Sequence, residues 1–78
     1  MPSKFQRNLK LLMLDREMTQ KQLADVIGTS QGDVSRWVNG YVSPTLTKLV
    51  RLREAFGCTW EELLGEGPDL GAGRRKLS

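Results

Sequence analysis

The chain has 78 residues, 38% of them hydrophobic and 27% charged, with a net charge of +3; that suits one small globular domain and argues against a disordered chain. Its single cysteine, Cys58, excludes a disulfide framework, and the absence of histidine removes the commonest general base and metal ligand. The longest purely apolar run, residues 11–14, is far too short to span a membrane.

Apolar residues recur at helical spacing throughout, with no strand-like alternation, so an all-α bundle of about five short helices is expected. In the first segment Phe5, Leu9, Leu12 and Leu14 form an apolar side. Thr19 followed by Gln22 is a capping-box pattern that opens a second helix carrying Leu23, Ala24 and Ile27, stopped by Gly28. Ser30 followed by Asp33 repeats the pattern before Val34 and Trp37, and Gly40 ends that helix. Ser43-Pro44 is the expected N-cap and first residue of a fourth helix with Leu46, Leu49, Val50, Leu52 and Phe56, ended by Gly57. Thr59 followed by Glu62 opens a last short helix with Leu63 and Leu64, and Gly65 closes it. The glycine-rich stretch beyond lacks periodicity, so residues 1–65 are expected to form the domain and 66–78 a flexible tail.

Charge is unevenly spread. Residues 1–53 carry a net +5, residues 54–69 a net −5, and the remaining residues +3 from Arg74, Arg75 and Lys76. A basic body beside an acidic patch suits one face turned to a polyanion and another turned away. The basic triplet reads either as a solvated end or as an arm adding nonspecific phosphate attraction. No Gly-rich phosphate loop, cysteine cluster or nucleophile with a base is present. A cytoplasmic protein is expected that is not an enzyme and needs no cofactor or metal.

Between Gln20 and Trp37 the small Ala24 and the turn-forming Gly28 stand among the apolar Leu23, Ile27, Val34 and Trp37. This pattern, with the following SPTLTKLVRLREAFGCTWEELL, resembles the Cro/CI-type (XRE-like) helix-turn-helix domain of phage repressors over roughly residues 5 to 64. The resemblance implies a lambda-repressor-like fold whose second motif helix enters the major groove of double-stranded DNA. By position, the base-reading residues would be Gln31, Gly32 and Arg36, with Gln31 suited to adenine and Arg36 to guanine. Gly32 leaves two readings open: closer backbone approach to the DNA, or tolerance at a helix start. Asp33 is read as a cap facing back to Ser30. The implied phosphate contacts are Gln20, Ser30, Asn39, Tyr41 and Thr45, with Lys21 and Lys48 adding charge.

Relatives often pair through the C-terminal region, which makes Phe56, Cys58 and Trp60 the expected homodimer interface. Trp60 also reads as core, and Cys58 as a small buried filler. Three departures from the family pattern stand out. Met13 and Val38 occupy positions where many relatives hold an ion pair, Glu17 stands where a helix-ending glycine is common, and Arg53 where alanine is usual. Replacing both members of an ion pair by apolar residues keeps two segments compatible. The function implied is a transcriptional regulator, a repressor in particular, reading an operator with half-sites about one helical turn (~34 Å) apart. The alternative is a protein-interaction adaptor or antitoxin-like module on the same scaffold, favoured by Gly32, Asp33 and the acidic stretch of residues 54–69.

Overall fold

The computed structural model describes residues 3–68. Five helices follow one another: α1 (Lys4–Asp15), α2 (Gln20–Ile27), α3 (Gln31–Val38), α4 (Leu46–Phe56) and α5 (Trp60–Leu64), with no strand among the described residues. None of these helices is long and apolar enough to cross a membrane. α2 packs on both α3 and α4, and α1 packs on α3 and α5. Isolated helices of five to twelve residues are marginal in water, so this mutual packing is what makes them persist.

The core gathers Leu9, Leu12 and Met13 from α1, Leu23, Ala24 and Ile27 from α2, and Val34 and Trp37 from α3. Leu52 and Phe56 of α4, Cys58, and Leu63 of α5 complete it. Met13 is buried and Val38 packs against the same core, so the ion-pair positions are indeed filled by apolar packing. Three expected apolar positions lie outside it: Leu14 is 75% exposed, Leu46 72% and Leu64 43%. Phe5, Leu9, Leu12 and Met13 follow one i, i+4, i+7, i+8 stripe, and Leu14 falls about 100° past its edge. Leu46 opens α4, a turn before the stripe that ends in Leu52 and Phe56 reaches the core.

The helix starts follow the sequence in part. Thr19 and Thr59 each form the expected capping box, and Ser3 with Gln6 forms another that opens α1. At α4 the cap is Thr45, not Ser43, and the Thr45 hydroxyl accepts from the Lys48 amide at 3.4 Å. Thr45 is the last residue with extended backbone before the helix, so only its oxygen reaches the free amides of the first turn.

Gly28 sits at φ +75° and makes the α2–α3 turn, a left-handed conformation that side chains other than glycine resist. Gly40 also has positive φ, and a Cβ there would come within 2.4 Å of the Gln6 side chain, so α1 and the end of α3 can close on each other. Gly57 adopts the expected left-handed form, but Gly65 does not, with φ at −99°. The left-handed residue that ends α1 is Glu17, at φ +54°.

The domain also runs past its expected end. Glu66 pairs with Lys4 at 2.6 Å, and the Gly67 amide donates to the Glu61 carbonyl at 3.2 Å. Asn8, fully buried on α1, donates through Nδ2 to the carbonyls of Leu63 and Gly65, each at 3.1 Å. An α1 side chain thus satisfies the carbonyl end of α5. The remainder of the expected tail, residues 69–78, lies outside the described residues.

Candidate nucleic-acid interface

The local sequence dictates how α3 is turned. Val34 and Trp37 lie three apart on one side and both are buried, which leaves Gln31, Gly32 and Arg36 exposed on the other. Ser30 fixes the start of the helix: its backbone is extended and its hydroxyl accepts from the Asp33 amide at 3.1 Å. The first turn therefore carries no apolar side chain because no core lies in front of it.

Asp33 does not complete a capping box with Ser30. Its carboxylate instead accepts from Thr29 Oγ1 at 2.5 Å through Oδ2 and from Arg36 Nη1 at 3.0 Å through Oδ1. Thr29 in the turn and Arg36 one turn onward supply the donors to this carboxylate. The Thr29 hydrogen bond chiefly, opposed by partial desolvation and aided by the charges of Arg36 and Lys48, holds the Asp33 carboxyl below its ordinary value. Arg36 keeps a side chain 55% exposed despite this pairing.

Around the start of α3, Lys48 Nζ donates to the Gly28 carbonyl at 3.4 Å, and Arg51 Nη1 donates to the Ile27 carbonyl at 3.2 Å. Both cations come from α4 and close on the carbonyl end of α2, a favourable placement for positive charge. Lys48 thereby stands close enough for its charge to act on the Asp33 carboxylate. Arg51 stands in the same place, although the sequence reading passed over it.

The other expected phosphate contacts are distributed along the flanks. Gln20 opens α2 half-buried, and the exposed Lys21 pairs with Asp25 at 3.6 Å across one helical turn. Asn39 caps the far end of α3, donating through Nδ2 to the Ser35 carbonyl at 2.9 Å. Tyr41, just beyond, is 79% exposed, and the Thr45 hydroxyl is committed as the α4 cap.

The expected dimer residues divide. Phe56 and Cys58 are enclosed in the chain's own core, because α4 ends and turns back there, and neither presents a surface to a second copy. Desolvation, before any neighbouring charge, pushes the Cys58 thiol above its ordinary value. Trp60 is 40% exposed at the start of α5, with the Arg53 guanidinium 5.2 Å from its ring centroid. Leu64, one turn onward, is exposed as well.

A family model described as helix-turn-helix matches residues 9–63. Among solved structures, the chain is similar to a transcriptional regulator from Listeria innocua, with 26% sequence identity and a TM-score of 0.72. The similarity covers 94% of this chain and 72% of that one. No curated protein sequence matches.

Proposed function

The chain belongs to the Cro/CI-type (XRE-like) helix-turn-helix family, and from that premise we propose that it is a transcriptional regulator, a repressor, that binds double-stranded DNA by placing α3 in the major groove. The observation that carries this reading is the orientation of α3, with Val34 and Trp37 in the core and Gln31, Gly32 and Arg36 exposed on one face. Gln31 and Arg36 supply the paired donors and acceptors that distinguish adenine and guanine by their major-groove edges. Gly32 offers backbone only. Lys21, Lys48 and the polar residues Gln20, Ser30, Asn39, Tyr41 and Thr45 hold phosphates on either side, setting register without reading sequence. Similarity to the Listeria innocua transcriptional regulator supports the same assignment.

A homodimer on a two-fold operator fits the exposed pair Trp60 and Leu64 on α5, since buried aromatic anchors dominate such interfaces. The adaptor reading loses part of its support. Glu66 pairs with Lys4, Glu62 accepts from the Thr59 amide, and Glu61 accepts from the Glu66 amide. Three acids of the 54–69 stretch thus take part in the fold.

A salt titration against random-sequence duplex tests the proposal. Each phosphate neutralised contributes a slope of about −0.9 in log affinity against log salt, so Lys21 and Lys48 alone require about −2 per protomer. Negligible binding at low salt would refute DNA as the partner.

A further inference from the structure

An acid in the first turn of a groove-facing helix is unfavourable, because every approach to a duplex brings it toward phosphates. Asp33 occupies such a position without completing a capping box, and its carboxylate accepts from Thr29 and Arg36, with the Ser30 side chain also acting on it. Three residues form a chain: Thr29 in the turn anchors the Asp33 carboxylate, and Asp33 in turn holds the Arg36 guanidinium. Gly32 leaves room for this. The Arg36 Nη1 and Nη2 atoms lie 3.7 and 3.9 Å from where a Cβ at position 32 would stand, so a longer side chain would compete for the same surface.

We propose that the Thr29–Asp33 pair is a specificity device that positions Arg36 for a base edge and keeps it off the DNA backbone; this rests on the reading of α3 as the base-reading helix. An unrestrained arginine has a long flexible stem and five N–H donors, and a phosphate satisfies it as readily as guanine does. Phosphate contacts carry no sequence information. Committing one Nη1 donor to Asp33 leaves four, including the Nη2–Nε edge that matches guanine O6 and N7 bidentately. The carboxylate also opposes the movement of Arg36 to a phosphate, because Asp33 would have to follow it or be abandoned beside a polyanion. The arrangement lowers affinity for all DNA while widening the gap between right and wrong sequences, which is how a repulsive element creates specificity. Asp33 and Thr29 are positioning residues, and Arg36 makes the contact.

The test uses the duplex that the wild-type protein selects from a random pool, its single-base variants, and a random-sequence duplex. Arg36→Ala first identifies the base position that Arg36 reads. At that position Asp33→Ala and Thr29→Val each narrow the discrimination by roughly three- to tenfold. Asp33→Ala also tightens binding to the random duplex and steepens its salt slope by about 0.9, as the freed Arg36 takes a phosphate. That steepening disappears in the Arg36→Ala background, an outcome that a merely structural role for Asp33 would not produce. If Asp33→Ala fails to fold, Thr29→Val, which lies outside the helix, carries the test alone. Wild-type discrimination in the folded variants, or a steepening that persists without Arg36, overturns the inference while leaving α3 as the reading helix. A wild-type protein that selects no sequence, or an Arg36→Ala variant with unaltered selectivity, refutes the reading itself and the inference with it.

Discussion

Asn8 is the most consequential polar residue of the fold. It is fully buried on α1, and its Nδ2 donates to the Leu63 and Gly65 carbonyls at 3.1 Å each. Asn8→Ala removes two hydrogen bonds, each worth about 1 kcal/mol net, and strands the buried end of α5 at a further cost of about 1–3 kcal/mol. The expected loss is therefore about 3–5 kcal/mol, measured against roughly 4–12 kcal/mol in total for a domain of this length. Urea unfolding followed by tryptophan fluorescence should show a lowered midpoint with an unchanged slope, because the amount of surface exposed on unfolding stays the same. Asn8→Asp keeps the size but loses the donors and sets a carboxylate against two carbonyls, so it should be at least as damaging. A loss below about 1 kcal/mol for Asn8→Ala, or wild-type stability for Asn8→Asp, would show that this amide does not hold α5 in place.

Other expectations follow from single positions. Glu17 is left-handed at φ +54°, so Glu17→Gly should stabilise the domain by ~0.5–1 kcal/mol and raise Tm by ~2–8 °C; a lower Tm would contradict the strain assigned there. Cys58 is buried with a raised thiol pKa, so a thiol reagent should modify it slowly in the native protein and at a rate rising in step with urea-induced opening. Reaction at the rate of a free thiol in native buffer would place it on the surface instead. Asp33 and Glu66 both have folded pKa values below their ordinary 3.8 and 4.5. The stability they contribute is present above those values and is lost as pH falls through the depressed folded ones. Melting temperature should thus decline on acidification below about pH 4.5, and Lys4→Gln should flatten the part due to Glu66; an unchanged acid profile in Lys4→Gln would remove that pair from the account.

Much of the fold was legible because helix caps and helical spacing are local. Thr19 with Gln22 and Thr59 with Glu62 cap as expected, Leu23, Ala24 and Ile27 face inward, and Gly28 turns the chain between α2 and α3. The errors arise where a local pattern admits two geometries. Leu14 matched an apolar tally but missed the stripe by one residue, and Ser43-Pro44 placed the cap two residues too early. Ser30 and Asp33 fit the capping-box spacing, yet the carboxylate accepts from Thr29 and Arg36. What remained hidden depends on contacts distant in sequence. Asn8 reaches carbonyls 55 and 57 residues away, and Arg51 meets the end of α2 from α4. For Phe56 and Cys58 the sequence offered two readings, core and dimer interface, and the structure places both in the chain's own core. The outward set on α3 was legible for a simple reason: once Val34 and Trp37 are inside, period 3.6 leaves Gln31, Gly32 and Arg36 outside.

The most direct test compares wild type and Arg36→Ala on a selected duplex and all of its single-base variants. Loss of the arginine should weaken binding to the preferred duplex by ~1–3 kcal/mol and flatten preference at one base pair, with the other positions ranked as before. A uniform loss on every duplex, accompanied by a shallower salt slope, would mean that Arg36 holds a phosphate and that α3 does not read sequence through it.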